Sequence, residues 1–263
     1  MINSMQMALI KKDIHSVTGN KRLFSVMLIV PLVMTVFIPS VFLFIVGFTP
    51  VDSPDFQELV TILPEGMLTG DLREALVRLI LDNVVSLFFL LIPIMAASVV
   101  AASSFVGEKE KRTLETLLYC PLSLRQIFNA KIIASFALSQ IVSLVSFAAM
   151  MLVTQIEIRI ITGKLILPGI SWLVLMLLVS PALSLVAITM IVRGSAKAKI
   201  MEESQQRSVF LILPIILLVV GQFTGLLMLN AWILLAAGLL YAGAGILLLR
   251  RSSASFHYEK LLR

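Results

Sequence analysis

The chain has 263 residues, of which 59% are hydrophobic and 14% charged, with a formal net charge of +6. Soluble domains carry roughly 45–50% apolar and about 25% charged residues, so this composition excludes an ordinary soluble domain and fits a chain whose solvent is lipid. One cysteine, Cys120, excludes an internal disulfide framework.

Residues 1–22 are mostly polar and basic. Met7, Ile10, Ile14 and Val17 fall on one helical face, with Lys12, His15 and Ser16 elsewhere. This predicts an amphipathic helix lying in the headgroup layer, with Lys21 and Arg22 anchoring the turn into the first apolar run. That run is too long for a signal-peptide core and is expected to stay as the first span.

Six runs lack Asp, Glu, Lys and Arg: 23–48, 84–106, 132–154, 170–192, 209–229 and 231–249. At ~1.5 Å rise per residue each covers the ~30 Å hydrocarbon core. The runs are read as helices because a backbone in lipid must satisfy its own hydrogen bonds, and the alternating ten-residue strands of a membrane barrel are absent. Asn230 alone separates the last two runs and is read as the turn of a tight hairpin. Pro31, Pro39, Pro93, Pro181 and Pro214 lie inside spans and predict kinks.

Basic residues divide unequally between the connections. One side holds Lys11, Lys12, Lys21, Arg22, Lys109, Lys111, Arg112, Arg125, Lys131, Arg193, Lys197, Lys199, Arg207, Arg250, Arg251, Lys260 and Arg263; the other holds Arg73, Arg78, Arg159 and Lys164. The imbalance predicts that both termini are cytoplasmic. It also accounts for the net charge, which is therefore not read as nucleic-acid binding. On the other side, residues 49–83 form the one sizeable loop. Ser53–Pro54 is a helix-start signal, and Asp71 with Glu74 resembles a capping box. Glu74–Arg78 and Arg78–Asp82 are spaced as helical ion pairs, so a helix is expected to run on into the second span.

Enzyme chemistry finds little support. There is no P-loop, H-E-x-x-H or G-x-S-x-G pattern, and His15 and His257 are near opposite ends, so no catalytic or metal site is expected. The spans contain no ionisable residue of the kind ion-coupled carriers use. Their Ser, Thr and Gln residues suit helix–helix hydrogen bonding, with Ser139, Gln140, Ser143 and Gln222 as candidates for lining a pathway. The cytoplasmic segment 107–131 is the most informative. Glu108, Lys109, Glu110, Arg112, Thr113 and Glu115 are dense and mixed in character, and Leu114, Leu117 and Leu118 share one helical face. Pro121 stops that helix, and Ser123 with Gln126 is a capping box opening the next. The pattern reads either as a solvated connector or as a docking element for a soluble partner.

From Gly107 the chain runs G-E-K-E-K-R-T-L-E-T-L-L, then Pro121-Leu122-Ser123, Ile127 and Lys131. This resembles the GE+E+GTLE-x-LL…P-x-S…GK pattern of the type-2 ABC exporter permeases (the type V exporter fold). It departs from that pattern at Arg112 and Ala130, where the family favours glycine. Lys11-Lys12-Asp13, Asn20 to Pro31, Gln205-Gln206 to Pro214 and the Phe256–Leu262 tail are similar to further family segments. The resemblance implies a single all-α permease domain over 1–263, with six transmembrane helices and an N-terminal interfacial helix, in a prokaryotic cell membrane. It implies pairing with a second permease subunit, as homodimer or heterodimer, and two copies of an ABC ATPase that bind ATP and Mg, with Glu108–Leu118 as the coupling segment and cargo moving outward. Some relatives carry two re-entrant helices between spans 5 and 6; here only Asn230 separates two full apolar runs, so either those helices are missing or the span boundaries differ from the runs given above. The competing readings are an ion-coupled carrier, disfavoured by the uncharged spans, a membrane enzyme, disfavoured by the missing motifs, and a non-transporting anchor or sensor subunit of an ATPase complex.

Overall fold

The structure is a computed structural model that describes residues 3–61, 71–110, 113, 120–195, 200–206, 210, 213 and 231–254. Among these residues regular structure is helical throughout. Helix α1 (Ser4–Thr18) is followed after two residues by α2 (Lys21–Phe48), then α3 (Pro54–Val60). Helix α4 (Leu72–Leu79) passes through a wide π-turn, Ile80–Val85, into α5 (Ser86–Glu110). Helix α6 (Leu124–Thr162) is followed by α7 (Ile170–Val174), which passes through a second π-turn, Leu175–Val179, into α8 (Ser180–Ser195). The short α9 (Met201–Gln206) and long α10 (Ala231–Ala254) complete the order.

Five of these helices are long and apolar enough to cross a membrane: Lys21–Phe48, Leu72–Glu110, Leu124–Thr162, Ile170–Ser195 and Trp232–Arg251. The expected fifth run, 209–229, and the Asn230 turn lie outside the described residues apart from Phe210 and Leu213. Two helices far exceed their apolar runs. Leu72–Glu110 and Leu124–Thr162 each have 39 residues, about twice the length that spans the hydrocarbon core. Uncharged stretches mark the part in lipid; capped polar turns extend it. Ser123 Oγ accepts from Gln126 N while Gln126 Oε1 accepts from Ser123 N, which starts α6 well before Ile132. Gly163, at φ 70°, ends it in the left-handed conformation that glycine adopts without strain.

Helix α5 is the centre of the bundle, packed against α2, α6 and α8, while α10 packs on α8 and the turn before it. α5 buries residues all around its circumference, as expected of a helix surrounded by others. By contrast α2 exposes Val26, Ile29, Val33, Phe37, Val41, Phe44 and Phe48, a single stripe at helical spacing that suits lipid. The buried face of α6 carries Ser135, Ser139, Ser143, Ser146 and Thr154. Such small residues let membrane helices approach closely where lipid supplies no hydrophobic driving force between them. Phe89, Phe147 and Trp172, with ring centroids 5.5–5.8 Å apart, lock α5, α6 and α7 together.

Prolines are accommodated locally. Pro39 has no N–H for the Thr35 carbonyl, and Ser40 Oγ donates to the neighbouring Val36 O at 2.7 Å. Thr35 Oγ1 likewise donates to Pro31 O at 2.8 Å. The second π-turn ends at Val179, two residues before Pro181, as expected where proline cannot complete a regular turn.

Close packing of α10 on span 4 depends on glycine. A Cβ at Gly238 would lie 2.8 Å from Leu178 Cδ2 and 2.9 Å from its Cγ, whereas one at Gly243 meets nothing within 4 Å. Gly238→Val is therefore expected to lower stability by about 1–3 kcal/mol through overpacking. Gly243→Ala is expected to be neutral or to add up to about 1 kcal/mol of helix propensity. Thermal unfolding in detergent, read on both variants side by side, checks the contrast.

Candidate functional site: a buried ionic junction

At the face where α1, the end of α5 and the start of α6 meet, three ionisable side chains are buried together. Lys131 is 2% exposed, Asp13 4% and Glu108 8%. They come from segments far apart in sequence, and each is placed by its helix. Asp13 lies on the side of α1 that also buries Leu9, Ile10 and Val17. Leu9 and Ile10 pack against Ile127, Ala130 and Ala134 of α6. The apolar face of α1 is thus occupied by protein, with Ile10 and Val17 inside and Met7 exposed. Lys131 follows one helical turn after Ile127 on the same buried side of α6, and Glu108 belongs to the last turn of α5.

The Lys131 ammonium is surrounded by oxygens. It lies 2.7 Å from Glu108 Oε2 and 3.5 Å from Asp13 Oδ2, and donates to Ser104 O at 2.6 Å. Ser104 Oγ donates to Asp13 Oδ2 at 2.6 Å. The Phe105 ring lies 5.6 Å from the nitrogen, in cation–π range. Lys12, half-exposed, reaches the other oxygen of Glu108, Oε1. The Glu108 carboxylate is therefore held by a buried lysine on one side and a surface lysine on the other. Two lysines and two carboxylates make the group formally neutral, as a buried charge cluster requires. Burial lowers the pKa of Lys12, but its hydrogen bond to Glu108 and the charges of Glu108 and Asp13 outweigh this, so the net shift is upward. A raised lysine pKa makes its contribution fully present below the ordinary lysine value and loses it as pH rises through the folded value. The Lys12 contact accordingly persists at neutral pH.

The junction sits at the root of the segment expected to couple to a partner. Lys109 and Glu110 complete α5, and Glu110 Oε2 accepts from Met201 N of α9 at 3.4 Å. Thr113 N and Oγ1 both donate to Glu108 O, at 2.9 and 3.3 Å, tying the chain back onto the helix end. Arg112, Leu114, Glu115, Leu117 and Leu118 lie outside the described residues. Sequence reasoning missed Asp13 and treated Lys131 as a loop charge. The available signal was a lone acid on the apolar side of an amphipathic helix.

The pathway candidates fall within one chain's own helix packing. Ser139 Oγ donates to Phe136 O and Ser143 Oγ to Ser139 O, both at 2.9 Å, and both residues are fully buried. Gln140 Nε2 donates to Ser184 Oγ at 2.8 Å, and Ser184 Oγ to Pro93 O at 3.4 Å, joining α6, α8 and α5. Gln222 lies outside the described residues.

The opposite face has its own straps. Ser53 Oγ accepts from Phe56 N in the first turn of α3. Asp71 accepts from Arg73 N and Glu74 N in the first turn of α4. Arg73 Nη2 donates to Thr49 O at 2.8 Å. Glu74 pairs with Arg78 at 3.6 Å and with Lys164 at 2.9 Å. The expected Arg78–Asp82 pair is not formed. Asp82 belongs to the π-turn, whose extra residue rotates it off the Arg78 row, and its Oδ1 accepts from Gly169 N at 3.3 Å instead.

Comparison with known proteins adds one finding. The family model of the ABC-2 type transporter matches residues 6–219. No curated protein and no solved structure matches the chain. The match covers well over half of the chain, which therefore belongs to the ABC-2 type transporter family as a multi-pass transmembrane component.

Two predictions follow from the two faces. Lys131→Met leaves two carboxylates buried without their ammonium, and removing one partner of a buried pair costs about 3–5 kcal/mol. The triple variant Asp13→Asn/Glu108→Gln/Lys131→Met is expected to recover most of that loss, which a double-mutant-cycle analysis of thermal unfolding measures. At the other face, the hydrogen bond from Lys164, and then its charge, hold the Glu74 carboxyl below the usual range. A lowered carboxyl pKa stabilises above its unfolded value and loses that contribution as pH falls through the folded one. Protection of the 163–169 amides against exchange, corrected for intrinsic rates, should be unchanged from pH 8 to 5 and fall below about pH 4.

Proposed function

We propose that this chain is the permease subunit of an ATP-driven ABC exporter, moving an apolar or amphipathic cargo outward with the ATPase on a separate chain. The observation that carries the reading is the buried ionic junction at the root of residues 108–118. A docking segment can transmit force only if its base is fixed to the spans. Here Glu108 is fixed by charge to α6 and to α1, and by its backbone to α5. Lys109, Glu110, Arg112, Thr113, Leu114, Glu115, Leu117 and Leu118 are the residues assigned to the ATPase contact, with Glu108 buried at their base.

In this reading the face holding α1 and the junction is cytoplasmic, as the excess of basic residues there supports, and the membrane is a prokaryotic inner membrane. ATP and Mg belong to the partner, present in two copies, and a second permease subunit completes the assembly. The bundle described here encloses α5 with its own helices, and Ser139, Gln140 and Ser143 are engaged in that packing, so a pathway falls between subunits, with Gln222 the remaining candidate to line it. Closure of the ATPases on ATP moves residues 108–118, and the junction carries that movement to α5 and α6 together.

Purification from native membranes is expected to bring an ABC ATPase down with the chain. Vesicles holding the complex should move an amphipathic fluorescent probe only when ATP is supplied. Transport by the purified chain alone, driven by an ion gradient, would sink the reading.

A further inference from the structure

The elbow between α1 and α2 carries a cluster of cations that the junction does not use up. Lys11, Lys21 and Arg22 are all exposed. Asp13, the acid of this segment, is turned inward onto Lys131 and Ser104, and the one surface cation it reaches is Lys12, at 3.8 Å. Gly19 and Asn20 make the turn, and Asn20 Oδ1 accepts from Leu23 N to start α2. Lys11 is about two helical turns from the end of α1, and Lys21 and Arg22 open α2 after two intervening residues.

Their placement relative to lipid is specific. Counting along α2 in steps of three and four, Arg22 leads directly into Val26, Ile29, Val33, Phe37, Val41, Phe44 and Phe48. Each of these is more than 40% exposed. The cation therefore heads the stripe that faces acyl chains. Met7, one helical turn before Lys11 on α1, is also exposed.

We propose that this elbow binds the headgroups of anionic phospholipids, with Lys11, Lys21 and Arg22 on the phosphates and the acyl chains along the exposed stripe of α2. Lys12 contributes less, because Glu108 already holds it. Charge complementarity and continuity with the lipid-facing stripe select this occupant over an acidic protein surface, which would not need cations aligned with an apolar helix face. Juxtamembrane basic residues attract anionic lipid by this mechanism, and salt screens it. The inference rests on the membrane-spanning class of the chain and is independent of the ATPase reading.

The full chain, reconstituted in nanodiscs of phosphatidylcholine with or without phosphatidylglycerol, provides the test. Native mass spectrometry counts the retained phosphatidylglycerol, and unfolding temperature is read in parallel. The wild type is expected to retain phosphatidylglycerol and to melt higher in its presence, both effects shrinking as ionic strength rises. Lys11→Gln/Lys21→Gln/Arg22→Gln should weaken retention by about five-fold per cation removed, while Lys11→Arg/Lys21→Arg/Arg22→Lys keeps it. Arg78→Gln/Arg159→Gln, on the opposite face, should leave retention unchanged. If the triple glutamine variant fails to fold in phosphatidylcholine, Arg22→Gln alone carries the comparison. Undiminished retention in the glutamine variants, or an equal loss in the opposite-face control, overturns the proposal. So does loss of a co-purifying protein with lipid retention intact, which would make the elbow a protein-docking surface.

Discussion

Removing an ammonium group from water is so costly that the surroundings of Lys131 have to be built around it. The desolvation penalty of a single ion is several kcal/mol even after relaxation. The chain meets it with oxygens from three residues on two helices: Asp13 of α1, and Glu108 and both the carbonyl and hydroxyl of Ser104 on α5. Each of those helices loses its freedom as a result. α1 cannot slide along α6 without carrying Asp13 away from the cation. The last turn of α5 cannot unwind without moving Glu108. A helix that composition alone would leave floating in the headgroup layer is thereby fixed in register on the bundle.

The rest of the bundle answers a different constraint, the absence of a hydrophobic force between helices in lipid. Close approach replaces it. α6 buries a file of serines, and α10 presents Gly238 to Leu178. Hydroxyl groups add hydrogen bonds that apolar side chains would lack, back to their own helix as Ser139 and Ser143 do, or across to another as Ser184 does with the Gln140 amide and the Pro93 carbonyl. α5 sits at the centre and exposes little, so whatever displaces α5 displaces α2, α6 and α8 with it. This ties the end of α5, where Glu108 lies, to the three helices packed around it.

Much of this was legible in the sequence, because charge and hydropathy act over long windows. The uncharged runs located five of the long helices, and Ser123 with Gln126 located the start of α6. What the sequence could not show depends on rotation about helix axes and on contacts across the chain. Asp13 looks like one more polar residue of an amphipathic helix until Lys131 is seen beside it, 118 positions away. Lys131 itself was counted as a topological charge, since nothing in its neighbours announces burial. Arg78 and Asp82 have the spacing of an ion pair, but a π-turn of Ile80–Val85 changes the rotation between them, and hydropathy does not reveal such a turn. The helix overruns were hidden for a related reason: capped polar turns prolong a helix without prolonging its apolar run.

The two contacts on Glu108 differ in strength, and the difference sets which parts of the junction would move as one body. The Lys12 contact is half-exposed, so water and salt compete for it, and exposed pairs hold weakly. The Lys131 contact is buried, where screening is slight and an unpaired partner is expensive. Under a load applied to residues 108–118, the surface contact parts first. α5 and α6 then remain tied through Lys131, while α1 is held by Asp13 and by Leu9 and Ile10 on α6. Under the proposed coupling role, α5 and α6 form one lever and α1 a brace hinged at Gly19–Asn20. The brace ends in the cation cluster at the elbow, so the lipid headgroups there would bear on the same lever from the membrane side.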